Sequence, residues 1–149
     1  MRLALFLMAI GTALAQPAAP PAEDELSRVE AEPNLEKRAH AALDNADDAL
    51  RRAREAYTKG DDATTNARLD EVEKSVELAD TALKQTGKNP SRSPKHFKQA
   101  EMRSRDLLRR LDGFREQMSV SDRAAAERVV EVVQKIHDAW LDGIMGKKK

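Results

Sequence analysis

The feature that most constrains this chain is an apolar side chain at every third or fourth position, repeated in four separate stretches. Spacings of three and four place residues on one face of an α-helix. The first stretch ends at Tyr57 and forms three rows: Ala39, Ala46 and Ala53; Ala42, Ala49 and Ala56; and Leu43, Leu50 and Tyr57. Two rows of alanine allow another backbone to approach closely, while the third row supplies bulk. The pattern therefore predicts a helix that packs against other helices.

Three further stretches repeat this alternation. Their apolar-face residues are Leu69, Val72, Val76, Ala79 and Leu83; then Phe97, Ala100, Ser104, Leu107, Leu111, Phe114 and Met118; and finally Ala126, Val129, Val133, Ile136 and Trp140. Four such helices joined by short turns cannot bury their apolar faces separately. The fold class that we predict is therefore all-α, an antiparallel up-down four-helix bundle. A solenoid of helical repeats and a long extended coiled coil are the competing architectures.

Turn signals separate the four stretches. Residues 59–62 combine a glycine with aspartates, which predicts the end of one helix and the N-cap of the next. Residues 87–90 contain Gly, Asn and Pro and end the second helix. Asn34 is suited to cap the first helix, and Ser93 followed by Pro94 predicts an N-cap and a first helical residue for the third. These breaks favour a bundle over a continuous rod.

Residues 1–15 have the pattern of an export signal: a basic start, a wholly apolar run over residues 3–10, and small side chains at Ala13 and Ala15. Cleavage after Ala15 leaves Gln16 as the N-terminus. An uncleaved membrane anchor is the alternative, but about 13 apolar residues rise only about 20 Å as a helix, which is short of a roughly 30 Å hydrocarbon core. The pattern predicts a cleaved signal peptide and an exported protein, either periplasmic or secreted.

Four segments follow from these patterns. Residues 1–15 are the signal peptide, and residues 16–33 form a Pro/Ala-rich tether that includes a short helix. Residues 34–146 form the bundle, and residues 147–149 form a basic tail.

The composition excludes several kinds of chemistry. The chain has no cysteine, so disulfides, thiolate metal sites, lipid attachment and covalent haem attachment are excluded. It carries 26 basic and 26 acidic side chains, so no overall field directs it to nucleic acid or to a membrane. We also find no glycine-rich phosphate loop, nucleophile elbow or zinc-protease motif. We therefore predict no enzyme activity, no cofactor, no nucleic-acid partner and no integral membrane segment.

A histidine–carboxylate cluster is the sharpest candidate for a site. An up-down bundle brings five residues towards one end, and together they are candidate ligands for a divalent ion. They are His40, His96, His137, Asp80 and Glu101. The alternative is three unrelated surface or boundary histidines, because each lies beside its apolar stripe rather than on it. In that interpretation the neighbour of His40 is Glu36, four residues earlier.

Basic side chains are the second candidate. They crowd the third helix and the C-terminus, and such patches contact anionic headgroups, envelope polymers or acidic proteins. The candidate partner-binding residues are Arg103, Arg109, Arg110, Lys147, Lys148 and Lys149. Because Asp106 and Asp112 are interleaved with the arginines, a solvated mixed-charge face is the alternative. The alanine-lined grooves leave a homodimer open.

The C-terminal third carries a resemblance. Residues 95–119, KHFKQAEMRSRDLLRRLDGFREQMS, and residues 136–149, IHDAWLDGIMGKKK, resemble small exported helical bacterial proteins with no assigned activity. The resemblance transfers no catalytic or binding residues.

These observations favour an exported, non-enzymatic helical bundle that acts through protein or cell-envelope interaction. The alternative hypothesis is a periplasmic bundle that binds a metal or a small ligand.

The export signal gives the first testable prediction. Mass spectrometry of the protein from the periplasm or culture medium should find Gln16, free or cyclised, as the first residue. Intact Met1 in the membrane fraction would contradict cleavage.

Overall fold

A computed structural model of the protein describes residues 22–147, with side chains from Glu25 onward. This range contains five α-helices and no strand, which confirms the predicted all-helical class. The helices are α1 (Ala22–Glu30), α2 (Leu35–Thr58), α3 (Asp62–Gln85), α4 (Lys95–Gln117) and α5 (Arg123–Ile144). The predicted signal peptide, the tether up to residue 21, and Lys148 and Lys149 lie outside the described residues.

The starts of α2 and α3 are those that the sequence predicts. Asn34 Oδ1 accepts a hydrogen bond from the backbone N–H of Lys37 at 2.9 Å, and Asp61 Oδ1 accepts one from Thr64 at 3.0 Å. Gly60 has a φ of 73°, a left-handed conformation that favours glycine and reverses the chain between the two helices.

The start of α4 differs from the prediction. The helix begins at Lys95, one residue later than expected, and Pro94 is its N-cap without a side-chain hydrogen bond. Ser93 does not cap the helix because it belongs to the preceding turn, where its backbone N–H donates to the carbonyl of Asn89 at 2.8 Å. The serine–proline signal therefore located the helix start correctly to within one residue but assigned the wrong cap.

The four apolar stripes form one core. Their residues are buried with two exceptions, Tyr57 and Ile136, which are partly buried and pack against the core. The six alanines of the two rows in α2 are all buried, and α2 makes its most extensive contact with α3. This agrees with the expected role of the alanine rows, because short side chains allow a small distance between helix axes.

Contacts between helix ends show which parts of the chain meet. His40 near the start of α2 contacts His96 at the start of α4. At the opposite end of α2, the hydroxyl of Tyr57 accepts from the backbone N–H of Ser119 at 2.8 Å and donates to Asp122 at 3.3 Å. The chain between α4 and α5 is therefore fastened to the end of α2.

Buried polar residues were not predicted by the apolar pattern. In the groove between α2 and α3, Asn45 Nδ2 donates to Glu71 Oε1 at 3.1 Å and to Ser75 Oγ at 2.9 Å. Arg68 completes the set through an ion pair with Glu71 at 2.7 Å. Each of these four side chains thus has a partner, which offsets the cost of removing it from water.

The short helix α1 packs against both α2 and α3. Its Glu25 accepts two hydrogen bonds from the guanidinium of Arg52, at 2.6 and 2.9 Å, and Val29 packs against the core. Such a bidentate pair fixes orientation as well as distance. The described part of the predicted tether is therefore attached to the bundle.

The core generates a stability prediction. Leu111 is fully buried at the middle of the α4 stripe. Leu111→Asp places an unpaired carboxylate there, which costs several kcal/mol against a total stability of roughly 5–15 kcal/mol. We expect the variant to lose its cooperative thermal transition, measured by circular dichroism. Met102→Asp is the matched control, since Met102 lies on the same helix and is 64% exposed. Equal melting of the two variants would contradict the assignment of this core.

Candidate functional site

The described parts of α2 and α4 bring two of the candidate histidines together. His40 Nε2 lies 3.1 Å from His96 Nδ1, and the two rings meet edge to face with centroids 5.4 Å apart. The other ring nitrogen of His96, Nε2, lies 3.1 Å from Glu36 Oε2. Lys88 Nζ pairs with the second oxygen of Glu36. We call Glu36, His40, Lys88 and His96 the histidine cluster.

This arrangement differs from the interpretation of His40 as an isolated surface residue beside Glu36. Glu36 contacts His96 instead, because the starts of α2 and α4 adjoin. The contact joins residues 56 positions apart in the chain, so helical periodicity within α2 alone does not reveal it.

Electrostatics within the cluster shift two pKa values. Burial lowers the pKa of His40, and the charges of His96 and Arg103 lower it further, while Asp44 and a hydrogen bond to Gln99 oppose the shift. The Lys88 ammonium, which donates to Glu36, lowers the pKa of that carboxyl group. The neutral form of His40 is therefore the form that the fold favours.

The third histidine lies in a separate group within the core. His137 Nδ1 is 2.9 Å from Ser104 Oγ, and His137 Nε2 is 3.7 Å from Glu101 Oε1. The residue types match those of a serine hydrolase, but the hydroxyl of Ser104 donates to the carbonyl of Glu101 at 2.9 Å. The histidine is thus the donor to Ser104 and does not activate it. Ser104 is also 0% exposed, which leaves no access for a substrate.

Asp80, the remaining candidate metal ligand, pairs with a tryptophan and a lysine. Its Oδ1 accepts a hydrogen bond from Trp140 Nε1 at 3.0 Å, and its Oδ2 pairs with Lys84 at 2.5 Å. Trp140 is 3% exposed, so its ring is part of the core.

The five candidate metal ligands are therefore divided among three places. His40 and His96 form one group, His137 and Glu101 a second, and Asp80 stands apart. Within residues 25–147, no group of three or more metal-ligating residues is arranged to hold an ion.

The basic candidates separate into inward and outward groups. Arg103 pairs with Asp44 at 2.6 Å and with Asp47 at 2.9 Å, and Arg110 pairs with the other oxygen of Asp47. These ion pairs join α4 to α2. The charges of Arg103 and Arg110 are thus already matched within the bundle.

Arg109 points outward and belongs to a continuous stripe. Side chains at spacings of three and four share this side of α4, and all are exposed. They are Lys95, Lys98, Met102, Arg105 and Arg109, which we call the outer α4 face. Arg105 pairs with the buried Glu101 and Arg109 with Asp106, yet their side chains remain 67% and 80% exposed. The sequence predicted Arg109 as a partner-binding residue, but it did not predict that Met102 lies exposed among the cations of this face.

The C-terminal candidates are described only in part. Lys147 is exposed and lies 3.9 Å from Asp142, at the limit of an ion pair. Lys148 and Lys149 fall outside the described range.

No protein-family model matches this chain, and no curated protein or solved structure matches it either. Across the part of the chain that the structure describes, no helix combines the length and apolar character needed to cross a membrane.

The shifted pKa of His40 predicts a pH dependence of stability. Because the folded chain lowers this pKa, the unfolded chain binds the proton more readily as the pH falls below about 6.5. The stability contributed by neutral His40 is therefore present above that pH and is lost below it. Between pH 7.5 and 5.5 we expect the melting temperature to fall by roughly 1–3 °C, a small change because solvent still reaches this partly buried ring and screens its charge.

His40→Gln removes the titrating group and serves as the control. Its melting temperature should change less over the same pH range, whereas carboxylates such as Glu36 titrate at lower pH. An identical pH profile for both proteins would contradict the assignment to His40.

Proposed function

We propose that this protein is an exported, non-enzymatic helical bundle that acts by contact with a protein or with the cell envelope. The proposal of export rests on the residue pattern of residues 1–15. A protein with this role needs a stable scaffold and an exposed surface with a distinctive charge, and the described helices provide both.

We further propose that the four long helices run antiparallel in up-down-up-down order. Two observations support this topology. The contact of His40 with His96 joins the starts of α2 and α4, and the contact of Tyr57 with Ser119 joins their other ends. Arg128 of α5 pairs with Glu73 of α3 at 3.0 Å, while Trp140, farther along α5, reaches Asp80, farther along α3.

The observation that carries the functional proposal is the outer α4 face. Four cations lie along one side of a single helix, with the exposed thioether of Met102 between them. Arg105 and Arg109 on this face have carboxylate partners on α4 itself, yet their side chains stay 67% and 80% exposed. Arg103 and Arg110 are instead held against α2 by Asp47, so the outer face is where α4 presents its most exposed positive charge. Such a surface complements an anionic partner, and the exposed methionine adds an adaptable apolar contact.

The absence of enzyme activity is part of the proposal. It is supported by the burial of Ser104 and by the direction of its hydrogen bond to Glu101. A homodimer stays a prediction of the sequence. The alternative function, a periplasmic metal- or small-ligand-binding bundle, is favoured by one observation, the contact between His40 and His96.

Binding to anionic vesicles tests the proposal. The wild-type protein should sediment with vesicles of phosphatidylcholine and phosphatidylglycerol but not with phosphatidylcholine alone. Each cation near an anionic surface contributes about 1 kcal/mol, so the double variant Lys98→Gln/Arg109→Gln should bind about tenfold to thirtyfold more weakly. Deleting residues 147–149 measures the separate contribution of the tail.

The matched control is Arg51→Gln/Arg54→Gln, which removes two exposed cations from α2 and leaves the outer α4 face intact. This control should bind almost as the wild type does. If both double variants lose the same affinity, net charge alone is responsible. If the wild type binds neither vesicle, an anionic lipid surface is not the partner.

A further inference from the structure

The histidine cluster places two imidazole nitrogens against each other. His96 Nε2 faces the Glu36 carboxylate at 3.1 Å, so this nitrogen carries the proton and donates it. The opposite nitrogen, Nδ1, then carries a lone pair, and it points at His40 Nε2 at 3.1 Å. This contact is independent of the outer α4 face, and it is the observation that favours the alternative function named above.

We propose that His40 Nε2 and His96 Nδ1 together bind a divalent transition-metal ion of the Zn²⁺ class, with water in the remaining coordination positions. Neutral imidazole is a preferred ligand of Zn²⁺, Cu²⁺ and Ni²⁺, whereas Mg²⁺ and Ca²⁺ prefer oxygen. The pair supplies two ligands, below the three or more that a closed site requires, so the site is an open one.

The separation of the two nitrogens suits such an ion. Metal–nitrogen bonds of about 2.0–2.1 Å that meet at a tetrahedral angle place the nitrogens about 3.3–3.4 Å apart. The observed 3.1 Å is within a few tenths of an ångström of that value. Since a shared ion lies to one side of the line that joins the two nitrogens, the rings have to turn for both lone pairs to converge on it.

Glu36 has the position of an outer-sphere carboxylate. Histidines that bind metals commonly donate their second ring N–H to a carboxylate, which fixes the ring and makes the free nitrogen more basic. Glu36 provides this for His96, and Lys88 holds the carboxylate from its other side. Glu36 is thus a positioning residue, since it acts through the ring of His96.

Binding of the ion releases no proton from the neutral histidine pair. When the ion binds, the proton on His40 Nε2 moves to Nδ1 of the same ring, so the histidine changes tautomer and stays neutral. The charges of Asp44 and the side chain of Gln99 already act on this ring.

The surroundings admit an ion. His96 is 23% exposed at its side chain, and His40 is partly buried, so neither ring is sealed within the core. Three cations lie close by. Lys88 is matched by Glu36, and Arg103 by Asp44 and Asp47, while the exposed Lys95 also acts on Glu36.

Zn²⁺ titration of the untagged protein tests the proposal. Calorimetry at pH 7.5 should give saturable binding of one Zn²⁺ per chain, and Mg²⁺ should give none. His40→Gln and His96→Gln should each weaken the binding at least tenfold. Glu36→Gln should weaken it about tenfold to a hundredfold, the usual effect of losing an outer-sphere partner. His137→Gln is the matched control and should bind as the wild type does.

A second measurement does not depend on the folding of any variant. In the wild-type protein, Zn²⁺ at one equivalent should shift the imidazole NMR signals of His40 and His96 and leave those of His137 in place. The proposal is overturned if Zn²⁺ binding is not saturable, if it persists in both His40→Gln and His96→Gln, or if the signals of His137 shift instead.

Discussion

The close approach of α2 and α3 is the constraint on which the rest of the molecule depends. It is permitted by small side chains, because bulky ones along the same rows would hold the two backbones apart. With so little volume available, the groove has room for the compact network of Asn45, Glu71 and Ser75 and for α1 above it. The larger residues, Phe97, Phe114 and Trp140, come from α4 and α5 and fill the space that the alanines leave.

The contact between α2 and α4 is built on a different principle. Here Asp47 accepts from both Arg103 and Arg110, so one carboxylate fixes two positions along α4. These pairs are partly exposed, and their contribution to stability is therefore modest. They lie on the side of α4 that faces α2, whereas Arg109 and Met102 are exposed on its outer side.

Much of the fold could be predicted because its signal is local. The apolar stripes, the caps at Asn34 and Asp61 and the reversal at Gly60 depend on residues within a few positions of each other. The wrong assignment was that of Ser93, which lies in the turn closed by its own backbone N–H and the carbonyl of Asn89, one residue before the N-cap Pro94.

The candidate sites were harder to predict because they depend on distances between helices. Periodicity places His40 beside the core but does not give the direction of its ring, which the neighbouring start of α4 determines. The ion pairs of the inward arginines were equally hard to predict. Arg103 and Arg109 are the same residue type in the same helix, and only their positions around the helix axis, nearly two turns apart, distinguish them. The sequence feature that indicates a partner for Arg103 is Asp47, an acidic residue beside the apolar stripe of α2.

The hydrogen bond from Trp140 to Asp80 gives the molecule a built-in optical probe. Trp140 is the single tryptophan of the chain, and its bond crosses from α5 to α3, between the α2–α3 pair and the α4–α5 pair. Its emission therefore reports the separation of the two pairs rather than the integrity of either one. A partly open state, in which the pairs part while each keeps its helices, would shift the fluorescence to longer wavelength before the far-ultraviolet dichroism changed.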